Sequence, residues 1–252
     1  MLFNITFNIT FNERRRRKIV NRGNKLLDYV KLLDSSIQVG GFTHSFGMDV
    51  HIAEGTIRSV EDLESFMRCQ LHPSIVRLEG MAIKGIYTAA DHKDAWRTAL
   101  IDKLVHVQRT PVNLREHASI MGKRLIKLAR ALHPWIDFSH LEQTLAKYES
   151  VGCLPTVHAW INHHLEIPVE EAVLGYLHSA MSACITEASK VIPLNTDTTQ
   201  DLLVRLAADL EHEWHTVSAS AADGPVQPTS LSMKTLFPSF HMLGAGLHAY
   251  RA

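Results

Sequence analysis

From Lys25 onward, apolar residues recur at intervals of three and four, the period of a helix with one buried face. Leu26, Leu27, Val30 and Leu33 form the first such stripe. Ser59 then precedes Val60, Leu63, Met67 and Leu71, and Asp62 stands three residues after the serine as a carboxylate form of the capping box. A helix is expected to start there and to stop near Pro73. Ile75, Leu78, Ala82 and Ile86 predict the next, and Trp96, Leu100 and Leu104 the one after it. Thr110 and Pro111 read as an N-cap followed by a first-turn proline, opening a helix to His133. Its apolar line is Met121, Leu125, Leu128 and Leu132, with Lys123, Arg124, Lys127 and Arg130 facing away and Pro134 as the stop. The strongest pattern begins at Pro168 and steps through Val169, Val173, Leu177, Met181, Ile185, Ala188 and Ile192 to Pro193, with Glu170 and Glu171 favouring the dipole in its first turn. Asp201 to Val217 predicts one more helix. No β-rich stretch separates these segments. The expected class is all-α, a single helical-bundle-like domain of eight to ten helices around one core.

The two ends read differently. Residues 1–12, MLFNITFNITFN, alternate apolar and polar with the period of a strand, but nothing nearby offers a pairing strand. Residues 1–24 are therefore expected to be a basic, disordered extension, residues 25–217 the helical domain, and residues 218–252 a linker and tail, because SASAADGPVQPTS is small, polar and proline-bearing. Charge sharpens that division. Residues 1–25 hold seven cations, including the run Arg14 to Lys18, against Glu13 alone, a net +6 that the rest of a formally neutral chain balances with −6. A neutral chain has no overall field to hold it on nucleic acid or an anionic membrane, and a mildly acidic body suits a basic partner surface. The hydrophobic share of 46% is enough for a sizeable core. Cys69, Cys153 and Cys184 stand far apart, an odd set that fits a reducing compartment, and no apolar run or leader pattern points to export. The cytoplasm is the expected home.

Candidate chemistry is sparse. The sixteen histidines invite a metal reading, and EHEWH places His212 and His215 one turn apart, but a zincin needs its second histidine where Thr216 stands. Two ligands are half of a closed zinc set, so a structural or surface role is the reading for this pair, and His163 with His164, expected on different faces of a helix, make a poorer one. Ser45 lies beside His44, a spacing in which a nucleophile-to-base hydrogen bond is hard to form, and the G-x-S-x-G elbow would need glycine at Thr43. Phosphate-loop and dinucleotide glycine patterns are absent. The carboxylate pairs Glu170 with Glu171 and Asp91 with Asp94 sit at expected helix starts, where capping and dipole compensation are their ordinary work. The residues by themselves leave open a metal-binding helical protein or hydrolase built on the histidines.

One stretch resists the helical pattern. LLDSSIQVGGFTHSFGMD, residues 32–49, combines Asp34, Ser35, Gly40, Gly41, Phe42, Thr43, His44, Ser45, Phe46 and Gly47 in an order that resembles the signature of the UreF family of urease accessory proteins. The resemblance continues through Glu54 to Leu63, through ASIMGKRLIKLA and through the block from Gly152 to Leu206, about residues 26–210 in all. It implies an all-α, non-enzymatic protein without a cofactor of its own. Such proteins form dimers, bind the scaffold UreD (also called UreH) and recruit the nickel-carrying GTPase UreG to apo-urease. Gly40, Gly41, Phe42, His44, Ser45, Phe46 and Gly47 then become the expected partner-binding residues. The paired glycines would allow a sharp turn and close approach, the phenylalanines would anchor it, and His44 would orient by hydrogen bonding. Gln38, Cys153, Asn195 with Thr196, and the tail SMKTLFPSFHMLGAGLHAYRA depart from the family pattern.

Overall fold

The helix expected to stop near Pro73 runs straight through it. The computed structural model describes residues 27–33, 48–108 and 112–220. Within them, the segments Val60–Phe66, Met67–Leu71, His72–Ser74, Ile75–Gly80 and Met81–Asp91 follow one another without a break. We call the whole α3, after α1 (27–33) and α2 (Met48–Ala53). Met67–Leu71 and Ile75–Gly80 are wide π turns, and the N–H of His72 reaches back five residues to the carbonyl of Met67. An ordinary turn would drive the Pro73 ring into the carbonyl four residues earlier, and the widened turn before it relieves that clash. The predicted start is correct. Ser59 Oγ accepts from the Asp62 N–H, and the Asp62 carboxylate accepts from the Ser59 N–H, both at 3.1 Å.

Six further helices follow: α4 (Ala95–Gln108), α5 (Val112–Leu132), α6 (Ser139–Lys147), α7 (Leu154–His164), α8 (Val169–Ala188) and α9 (Thr196–Ser220). No strand occurs among the described residues, so the fold is the all-α one expected. The N-terminal alternation, the Arg14 to Lys18 run, Thr110 with Pro111 and the tail lie outside them. α7 is the centre. Every residue from Leu154 to Asn162 is buried, and the helix packs against both the last part of α3 and α5. α8 and α9 close the other side, where Trp214 is fully buried over Gly80 in the second wide turn. A Cβ at position 80 would meet the indole at 3.2 Å.

Two predicted stripes face the wrong way. On α1, Leu27 and Val30 are 60% and 53% exposed while Tyr29 and Leu32 are buried, because the Tyr29 hydroxyl turns inward to a carbonyl. On α4, Trp96 is 55% exposed and Leu100 and Leu104 are half-buried, whereas Thr98, Ala99, Ile101, Asp102 and Val105 point in. The cause is Asp102, which is completely buried. Its carboxylate accepts the N–H groups of Val151 and Gly152 at 2.9 Å and of Cys153 at 2.7 Å, so it caps the chain entering α7. Gly152 has φ +72°, and its carbonyl lies so close to Gly122 of α5 that a Cβ there would overlap it. Asp102, Gly122 and Gly152 thus tie three helices into one knot.

Boundaries shift at the C-terminal end. α8 stops at Ala188, four residues before the last stripe residue, and the chain turns to bury Ile192 from outside the helix. α9 begins at Thr196, five residues before Asp201, and continues to Ser220, past the expected end at Val217. Asn195, one of the departures from the family pattern, caps α9 by accepting the Thr198 N–H at 2.7 Å.

Candidate docking site

Gly40, Gly41, Phe42, His44, Ser45, Phe46 and Gly47 lie outside the described residues, as do Asp34, Ser35 and Thr43. The structure instead describes the helices that lead into and out of them, and both rest on α8. On the entering side, the Tyr29 hydroxyl donates to the Glu171 carbonyl at 2.6 Å, and its ring end fills the space that a side chain at Gly175 would occupy. Leu32 is buried beside it. Burial, and then the Glu171 charge, raise the Tyr29 phenol far above its ordinary range, so it stays a donor. On the leaving side, Met48 is fully buried and α2 packs against α8. His51 sets its ring 4.8 Å from that of Phe66. Gly55, at φ +66°, ends this short helix, with its N–H on the Ile52 carbonyl.

A buried polar chain lies beneath α1. The His158 ring sits 6.4 Å from Tyr29 and 5.0 Å, edge to face, from Tyr176, whose hydroxyl donates to the buried Glu79 carboxylate. Glu79 belongs to the second wide turn of α3. His158 Nε2 lies 3.1 Å from the Ala172 carbonyl, which only accepts, so that nitrogen carries the proton. Burial lowers the His158 pKa from 6.5 to about 4 against the opposing pull of that carbonyl, and burial likewise lowers His72 to about 4.

These shifts fix the sign of an acid response. The folded state keeps both rings neutral while the unfolded chain protonates them near 6.5, so their contribution is complete above that pH and is lost as pH falls towards 4. For His158 the loss approaches about 3 kcal/mol. Thermal melts taken between neutral pH and about pH 4 are expected to fall steadily, and a His158→Gln chain to fall less steeply. An identical slope in the variant would remove His158 from the explanation.

The other sequence candidates are scattered. His212 and His215 stand exposed on α9, with His215 Nε2 3.6 Å from Glu211. Among the described residues no group of three or more His, Cys, Asp or Glu is placed to hold a metal ion. His163 and His164 have rings 5.8 Å apart, but each has its own partner, Asp91 at 2.9 Å and the Trp160 carbonyl at 2.8 Å. They border an open groove of about 400 Å³, also lined by Lys93, Asp94, His140 and Trp160. The acids there are engaged: Asp94 accepts the Arg97 N–H and Asp137 accepts from Ser139. Cys69 is exposed; Cys153 and Cys184 are buried, and burial pushes the Cys184 thiol well up, away from thiolate chemistry. Glu170 does more than compensate a dipole, because it accepts the Trp214 indole N–H at 2.5 Å and so ties α9 to α8. No described helix is long and apolar enough to cross a membrane.

Sequence reasoning missed Tyr29, Gly175, Glu79, Asp102 and the Gly122–Gly152 contact. The signals were slight: a tyrosine inside an aliphatic stripe, glycines in mid-helix at 122 and 175, and acids on apolar faces at 79 and 102.

A family model for UreF matches residues 57–207, which begins C-terminal to the 34–47 segment. A curated relative from Lachnoclostridium phytofermentans, described as urease accessory protein UreF, is 27% identical over 200 residues, covering 79% of this chain and 88% of the relative.

Proposed function

Because the chain belongs to the UreF family, we propose that it acts as a non-catalytic accessory protein in urease maturation, a docking scaffold that with UreD (UreH) recruits the GTPase UreG to apo-urease. Nickel is then cargo delivered to urease. Gly40, Gly41, Phe42, His44, Ser45, Phe46 and Gly47 form the partner-binding segment, the chain works as a homodimer in the cytoplasm, and residues 1–24 and the tail that follows Ser220 flank the helical domain. The observation that supports this reading is the pinning of both shoulders of the segment to α8, through Tyr29 on one side and the helix α2 on the other. A segment whose two flanking helices are held against one wall has less conformational freedom to lose on binding, which favours docking. His44 orients the loop and accepts no proton in a reaction.

Complementation tests the reading. The chain, expressed in a strain that carries its own urease but lacks the cognate accessory gene, is expected to restore urease activity. The Phe42→Ala/Phe46→Ala variant is expected to restore less than about a tenth of it, since two aromatic anchors at a docking surface are worth well over about 1.4 kcal/mol together. Failure of the unaltered chain to restore activity contradicts the proposal.

A further inference from the structure

The outer face of α5 carries Lys123, Arg124, Lys127 and Arg130, all exposed, on a body whose charge is otherwise net acidic. Arg130 is engaged: it pairs with Glu142 at 2.7 Å and lies over the Phe138 ring at 5.6 Å. Arg124 reaches only the Met121 sulfur, at 4.0 Å. Among the described residues no carboxylate forms an ion pair with Lys123, Arg124 or Lys127. Ile120, 45% exposed, lies on the same face one turn before Lys123 and Arg124, with Glu116 a further turn back. At 1.5 Å of rise per residue, the stripe from Ile120 to Arg130 is about 15 Å long.

We propose that this face of α5 is a second docking surface, for a protein partner that presents a carboxylate-rich helix face with an apolar residue set against Ile120. Cations closely spaced on a helix repel one another, and a partner's carboxylates remove that repulsion while steering its approach. The exposed isoleucine selects a protein helix over a bare phosphate polyanion, since phosphates offer it no apolar contact, while Glu116 turns either kind of anion away from the near end. The inference does not rest on the urease reading and uses none of residues 34–47.

The test uses the full chain and a fluorescent synthetic helical peptide with glutamates along one face around a central leucine. Lys123→Glu/Lys127→Glu changes only exposed positions, and circular dichroism and melting confirm that it folds. The unaltered chain is expected to bind the peptide, and the double variant about tenfold more weakly. Ile120→Ser is expected to weaken binding roughly threefold. Three outcomes overturn the proposal: no binding by the unaltered chain; full binding by the double variant, which removes these lysines from the interaction; or tighter binding of duplex DNA or phosphatidylserine vesicles through the same lysines.

Discussion

The Asp102→Ala variant is expected to lose about 4 kcal/mol of stability, because three charge-assisted hydrogen bonds disappear and three N–H groups, those of Gly152 and Cys153 buried and that of Val151 half-buried, are left without an acceptor. For a domain of this size that is a fall of roughly 8–16 °C in Tm. The effect should exceed that of removing any exposed ion pair, because Asp102 is fully buried and its acceptor atoms serve Val151, Gly152 and Cys153 at 2.7–2.9 Å. Asp102→Asn keeps one acceptor oxygen and is expected to lose about half as much. Gly122→Ala strikes the same knot from α5, since its Cβ would overlap the Gly152 carbonyl while Gly152 is held at φ +72°. Thermal melts of these chains check the point, and an Asp102→Ala melt within experimental error of the unaltered chain would show that the cap does not hold α7.

A second large effect is expected in function rather than stability. In Gly175→Ala the new Cβ and the Tyr29 hydroxyl claim the same space, so Tyr29 must leave and take α1 with it. α1 is short, its outer side carries Leu27 and Val30 into solvent, and Leu32 and Leu33, the other apolar residues turned to the core, sit next to the displaced ring. The rest of the core does not depend on that contact. The expected result is a folded protein with a modestly lower Tm, rapid amide exchange in residues 27–33, and urease activation reduced more than tenfold. Rapid exchange together with undiminished activation would separate α1 from function.

Where packing is local, the sequence announces it. The Ser59–Asp62 box, the basic outer face of α5 and the buried stripe of α8 as far as Ala188 all come from residues within a few turns of one another, and each appears where the spacing puts it. The two rotated stripes share one cause. Tyr29 is turned inward by a carbonyl 142 residues away, and Asp102 by N–H groups about 50 residues away, so a polar partner outweighs the aliphatic stripe and rotates the helix. Pro73 misled for a different reason: a local π turn, which carries no sequence mark of its own, removes the clash that makes proline a stop. The proposed docking segment stands out in the sequence through its paired glycines and two phenylalanines, but it lies outside the described residues, and the supports on either side of it were not legible. Gly175 and Tyr29 meet only through the tertiary fold.

Capture of purified UreD and UreG by this chain, compared with capture by its Phe42→Ala/Phe46→Ala variant at matched folding, tests the central claim most directly. The account predicts that the unaltered chain retains both proteins and the variant neither, with melting curves that coincide. Retention of both by the variant, or of neither by the unaltered chain, would contradict it.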